Sequence, residues 1–216
     1  MLFVNFKTYE EATGDKAVEL AKICKKVAKE TGKEIILCVQ AVDVYRVAKA
    51  VKLKVFAQHA DAVDYGSNTG HILIEALKQA GASGTLVNHS ENRIELQKIK
   101  DVVEKCKQKS FEVLVCAQDA DEVEQMTKME PNFVAYEPPE LIGGDISVST
   151  AKPEVITESV ERAALREVPL IVGAGVKNNL DVKVSVDLGA KGILVASGVI
   201  KAEDQEQAVR ELVEEL

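Results

Sequence analysis

The stretch FVAYEPPELIGG, residues 133–144, ends an apolar run on a carboxylate, Glu137, and follows it with two prolines, a short apolar segment and two glycines. A carboxylate carried out of a buried strand into a partly desolvated site is a better base than one in water. His89, within Asn88-His89-Ser90-Glu91, could donate a hydrogen bond to a substrate oxygen. Lys7, two residues after Asn5, could offset negative charge as it develops. Two small-residue loops, Gly173-Ala174-Gly175 and Ala196-Ser197-Gly198, would let backbone amides come close to an anion. The set describes proton abstraction beside a carbonyl on a small phosphorylated substrate.

Each residue also has a plain structural reading. Lys7 could be a solvated loop lysine, and Glu137 an exposed strand-end charge. Ser90 could be a helix N-cap with His89 a structural hydrogen bonder before it, and Glu91 a first-turn acid favoured by the helix dipole. The two small-residue loops could be turns, and His59 and His71 are read as structural. Chemistry is favoured because so many of these residues fall just after an apolar run of strand type.

Eight such runs recur, at residues 2–6, 34–39, 54–58, 84–88, 111–116, 133–136, 169–172 and 192–195. Each is nearly continuous in apolar residues, as a parallel strand covered by helices should be. Amphipathic segments lie between them. Residues 15–30 gather Val18, Ala21, Ile23, Val27 and Ala28 near one stripe, and residues 92–109 do so with Ile94, Leu96, Ile99, Val102, Val103 and Cys106. Residues 153–166 and 204–216 are similar; residues 43–51, 71–80, 119–128 and 180–188 are shorter. This alternation, with no linker and no odd strand, predicts a single-domain α/β fold, one (β/α)8 barrel over residues 1–216. An open doubly wound sheet would normally carry a glycine-rich turn after its first strand, and Asn5-Phe6-Lys7-Thr8 has none. In a barrel the C-terminal ends of the strands form one rim. Asn5, Lys7, Gln40, His59, His89, Gln118, Glu137 and the two small-residue loops would share it.

The chain has 216 residues and a net charge of -8, so a nucleic-acid partner, which needs a basic face, is not expected. No apolar run approaches the roughly 18 residues of a membrane helix. Met1 leads into LFVNF with no basic stretch or cleavage site, so a cytoplasmic protein is expected. Cys24, Cys38, Cys106 and Cys116 match no metal or redox spacing and are read as reduced, buried thiols.

Several motifs stand in order along the whole chain. They are Asn5-x-Lys7, Asn68-Thr69-Gly70, Asn88-His89-Ser90-Glu91-Asn92-Arg93, and Ala135-Tyr136-Glu137-Pro138 followed by Ile142-Gly143. In this order they resemble the triosephosphate isomerase family, and the short length with PPELIGG and GAGVKN resembles its archaeal branch. The resemblance implies a TIM barrel and an aldose–ketose isomerase of glycolysis and gluconeogenesis. Its reaction would interconvert dihydroxyacetone phosphate and D-glyceraldehyde 3-phosphate through an enediolate. By family role Glu137 would be the base and neutral His89 the electrophile, held uncharged by a helix N-terminus at Ser90-Glu91. Lys7 would stabilise negative charge and Asn5 would orient the substrate. Backbone around Ile142, Gly143, Gly175, Ala196 and Ser197 would hold phosphate, with Glu140-Leu141-Ile142 the body of a lid. No metal or organic cofactor is implied. The Asn68-Thr69-Gly70 tip would reach a neighbouring subunit of a homo-oligomer, a tetramer favoured and a dimer possible.

The chain departs from the family pattern in places. It has no tryptophan for the lid, and Gly-Ala-Gly replaces Gly-Gly-Ser after the seventh strand. Ala196-Ser197 replaces a glycine pair, while His71 and Asn92 stand where many members pair glutamate with arginine across subunits. The competing readings are an epimerase or synthase acting on another sugar or indole phosphate, a Schiff-base aldolase, and a barrel kept as an assembly scaffold. A metal-dependent epimerase would want histidines and aspartates converging from several strands, and an aldolase would want its lysine on a later strand.

Overall fold

The computed structural model describes residues 1–138, 153–176 and 178–216. Eight parallel strands, β1 (Leu2–Asn5), β2 (Ile35–Val39), β3 (Lys54–Ala57), β4 (Gly84–Val87), β5 (Glu112–Ala117), β6 (Phe133–Tyr136), β7 (Leu170–Val172) and β8 (Gly192–Val195), close into a barrel in chain order. Closure is made by β8 against β1, with Leu2 opposite Ile193, while Leu2 faces Ile35 on its other side. The outer helices among the described residues are α1 (Asp15–Thr31), α2 (Val44–Ala50), α3 (Ile74–Ala80), α4 (Leu96–Gln108), α5 (Ala120–Thr127), α6 (Pro153–Ala164), α7 (Asn179–Asp187), α8 (Ser197–Ile200) and α9 (Gln205–Glu214). The predicted (β/α)8 barrel is the observed one.

Two cores follow from the two-residue period of the strands. Phe3, Ile36, Phe56, Leu86, Leu114, Phe133, Ile171 and Leu194 point inward and fill the barrel. Phe3 sits at its centre, edge-on to Phe56 at 5.8 Å and to Phe133 at 5.3 Å. The alternate residues, such as Leu2, Val4, Leu37 and Val115, face outward into the layer beneath the helices. Both faces of each strand are therefore buried, which is why the strands read as unbroken apolar runs rather than as alternating ones.

The strand ends agree with the sequence reading to within one residue, but two helices start late. The segment predicted helical from residue 92 becomes helix at Leu96. Ahead of it, the Asn92 N–H donates to His89 O at 2.7 Å and closes a turn, and the Ile94 N–H donates to Asn88 Oδ1 at 3.1 Å. The segment predicted from residue 71 becomes helix at Ile74, because the Ile72 N–H is taken by Asp61 Oδ2 at 2.7 Å. In both places a side chain from the loop after the preceding strand takes a backbone donor ahead of the helix. Among the described residues no helix is long and apolar enough to cross a membrane.

Candidate active site

The inward phase of the strands continues past their ends. Two residues beyond Phe3, Phe56, Ala135 and Ile171 come Asn5, Gln58, Glu137 and Gly173, so these reach the mouth of the barrel. His89 is out of that phase. Asn88 before it has a left-handed backbone, φ 64°, which turns His89 inward. Asn88 holds this conformation with two bonds, Nδ2 to Cys116 O at 2.9 Å and Oδ1 from the Ile94 N–H.

Glu137 is 3% exposed. Its Oε1 lies 3.0 Å from His89 Nε2, and its Oε2 accepts from the Ser90 N–H at 3.1 Å. The Glu91 N–H points at His89 Nδ1 at 3.2 Å, which makes Nδ1 an acceptor and leaves the ring proton on Nε2. This corrects the expectation that Ser90-Glu91 opens a helix. Both lie in a turn, six and five residues ahead of α4, and the tautomer of His89 is set there by one backbone amide.

Lys7 also has a left-handed backbone, φ 45°. Its Nζ pairs with Glu91 Oε1 at 2.7 Å. Asn5, nearly fully buried, accepts from the Lys7 N–H through Oδ1 at 3.0 Å, and its Nδ2 lies 3.3 Å from His89 Nε2. A single cavity is lined by Asn5, Lys7, His89 and Glu137 on one side and by residues 173–176 and 194–198 on the other. Gly175, Ala196 and Ser197 therefore share one cavity with His89 and Glu137. Ile142 and Gly143, and with them Pro139, Glu140, Leu141 and Gly144, lie outside the described residues.

The small residues have steric reasons. A Cβ on Gly173 would sit 2.8 Å from Glu137 Cγ, so the glycine leaves room for the carboxylate. Gly175 has φ 71°, a conformation L side chains rarely adopt. Beyond them, the short helix α8 begins at Ser197, so its first amides have no partner of their own within the helix.

The sequence reading missed two contributors. Cys116 on β5 lies beneath Glu137. Burial pushes its thiol well up, and the Glu137 charge and a hydrogen bond to that carboxylate push it further. It stays a neutral thiol, as burial also dictates for Cys24 at about 12. Gln58, just past β3, bonds Asn5 and Lys7, whereas its neighbour His59, which the sequence places on the rim, pairs with Asp61 at 3.3 Å. The inward phase, carried one step beyond Phe56, was the signal that could have found Gln58.

Comparison with known proteins bears on what this arrangement does. The family described as triosephosphate isomerase matches residues 1–215. A triosephosphate isomerase of Methanocaldococcus jannaschii is 43% identical over 215 residues, covering 99% of this chain and 98% of its own. One from Methanothermobacter thermautotrophicus is 46% identical over 215 residues, covering 99% and 94%. The crystal structure of triosephosphate isomerase from Bartonella henselae superposes with a TM-score of 0.75 at 20% identity, covering 99% of this chain and 98% of that one, a likeness of fold.

Proposed function

The chain belongs to the triosephosphate isomerase family and interconverts dihydroxyacetone phosphate and D-glyceraldehyde 3-phosphate, and from that premise we propose which residues carry the reaction. The observation that carries the assignment is the 3.0 Å approach of Glu137 Oε1 to His89 Nε2 in a cavity that also holds Lys7 and the two small-residue loops.

Glu137 removes a proton from the carbon beside the substrate carbonyl. The C–H electron pair becomes the enediolate double bond, and the carbonyl oxygen takes up the negative charge. His89 polarises that oxygen through its Nε2–H, the tautomer that the Glu91 amide enforces. A proton then passes from the hydroxyl of the first carbon to the former carbonyl oxygen by way of His89 Nε2, the electron pair left on the first oxygen re-forms a carbonyl, and Glu137 returns its proton to the neighbouring carbon. Lys7 balances the charge of the enediolate and of the phosphate, and the Asn5 amide orients the substrate. Burial of Glu137 and its bond from the Ser90 N–H hold the carboxylate in one orientation, which supports its role as base.

Phosphate is held by main-chain donors around Gly175, Ala196 and Ser197. Ile142 and Gly143 join that set by family role. The reaction asks for no metal and no organic cofactor, since side chains supply acid and base. The protein acts as a single barrel domain, in the cytoplasm, and as a homo-oligomer, with a tetramer favoured over a dimer. A net charge of -8 goes with a small-molecule substrate and with neither nucleic acid nor a membrane surface as partner.

The test is a coupled assay on the purified protein. The expected outcome is turnover in both directions, inhibited by phosphoglycolate, whose binding also raises the melting temperature. Absence of turnover with a folded protein would refute the assignment.

A further inference from the structure

We propose that Gln58 is a positioning residue of the isomerase site, holding Lys7 and Asn5 in their working geometry without touching substrate. The inference rests on the roles given above to Lys7 and Asn5.

Three oxygens converge on one amide nitrogen. Gln58 Nε2 lies 3.0 Å from Lys7 O, 3.2 Å from Asn5 Oδ1 and 3.2 Å from Cys38 O. All three are acceptors, so the amide orientation is dictated: an oxygen in that place would face three others. The Gln58 N–H donates to Val39 O at 3.0 Å, which ties the same residue into the barrel wall. Gln58 therefore transmits the rigid frame of β2 and β3 to the loop after β1.

Its effect on Lys7 is specific. Lys7 is held in left-handed backbone, where a residue with a Cβ is strained. Its N–H is taken by Asn5 Oδ1 and its C=O by Gln58 Nε2, so both polar groups of the strained residue are bound. The two clamps are linked, because Gln58 also donates to Asn5 Oδ1. With two donors on Oδ1, the Asn5 amide cannot flip, and its Nδ2 is kept beside the protonated His89 Nε2 as a second donor at the cavity rather than as that nitrogen's partner. Gln58 borders an adjoining hollow that shares Asn5, Lys7 and His89 with the cavity holding Glu137, and it is not itself among the residues lining that cavity, so Asn5 and Lys7 stand between it and the Glu137 side.

Few residues satisfy this geometry. Glutamate matches the length and has no hydrogen to give when ionised. Methionine matches the volume and has none at any pH. Asparagine has the donor and lacks the reach.

The experiment is steady-state kinetics on wild type, Gln58→Met and Gln58→Glu, with phosphoglycolate binding measured on each. Gln58→Met is expected to lower kcat/KM by about tenfold, the scale of one lost buried hydrogen bond. KM and the phosphoglycolate Kd are expected to rise together, because the displaced cation serves both. In a Lys7→Ala background the further loss from Gln58→Met is expected to shrink to within about twofold, since the two changes remove the same interaction. Gln58→Glu is expected to be impaired at neutral pH and to recover toward wild type as pH falls. Its carboxyl then regains a proton, and with it one donor to Lys7 O. Should Gln58→Met fail to fold, that pH profile carries the test.

Wild-type KM and kcat in a folded Gln58→Met, an equal loss in the Lys7→Ala background, or a Gln58→Glu profile parallel to wild type would overturn the inference. Those results leave the functional reading intact, whereas wild-type protein without turnover removes both.

Discussion

The two sides of the barrel mouth are made of different material. From β1, β4 and β6 come side chains, Asn5, Lys7, His89 and Glu137, each bound to another group of the same site. From β7 and β8 come Gly173, Ala174, Gly175, Ala196, Ser197 and Gly198, which offer the cavity mostly main chain. A group that moves a proton must have one orientation and one protonation state, and only a side chain with fixed partners has both. An anion with several equivalent oxygens asks for something simpler, a surface where amides can come near. The first side is exacting in residue type, the second in residue size.

Three substitutions probe that contrast, in decreasing order of expected effect. Glu137→Gln keeps an acceptor for the Ser90 amide and removes the proposed base. We expect kcat to fall by roughly three orders of magnitude, with the circular dichroism spectrum unchanged. A kcat near wild type would end the distinction between the two sides.

Gly173→Ala crosses between them. Its methyl group would meet Glu137 Cγ at 2.8 Å and Tyr136 O at 3.3 Å, so the carboxylate must shift. We expect kcat/KM to fall by about a hundredfold, as a misplaced catalytic group costs. If the substitution is silent, the size restriction on β7 serves something other than Glu137. The smallest effect should come from Ser197→Ala, which removes a hydroxyl and keeps the amide. KM for the triose phosphate is expected to change by less than about threefold, below the worth of one good hydrogen bond. A larger rise would mean that the hydroxyl, not the main chain, meets the phosphate.

The same contrast explains what could be read in the sequence. The barrel was legible because every strand is buried on both faces, so that runs such as Ile35–Val39 contain no polar residue. The meeting of Glu137 and His89 at one rim was legible because polar residues at the ends of such runs are conspicuous. Cys116 and Gln58 were not, since a thiol reads as core and a half-buried amide reads as rim. Their roles depend on which atoms converge on them, and three oxygens around Gln58 come from residues 20 to 53 positions away. The Ser90-Glu91 helix start failed for a related reason. A serine before an apolar stripe looks like a cap, but here Asn88 and His89 take the backbone donors first. Local propensity gave way to a tertiary arrangement built around the left-handed turn at Asn88.

The central claim is that a carboxylate base, Glu137, carries a proton between two carbons of a triose phosphate. Isomerisation by the wild-type protein in deuterium oxide, followed by proton NMR of the product, tests it most directly. A proton parked on a carboxylate exchanges with solvent, so product bearing deuterium at the carbon that receives the proton is expected, with the signal lost in Glu137→Gln. Product formed at the wild-type rate with no solvent label, or labelled equally by Glu137→Gln, would contradict the account.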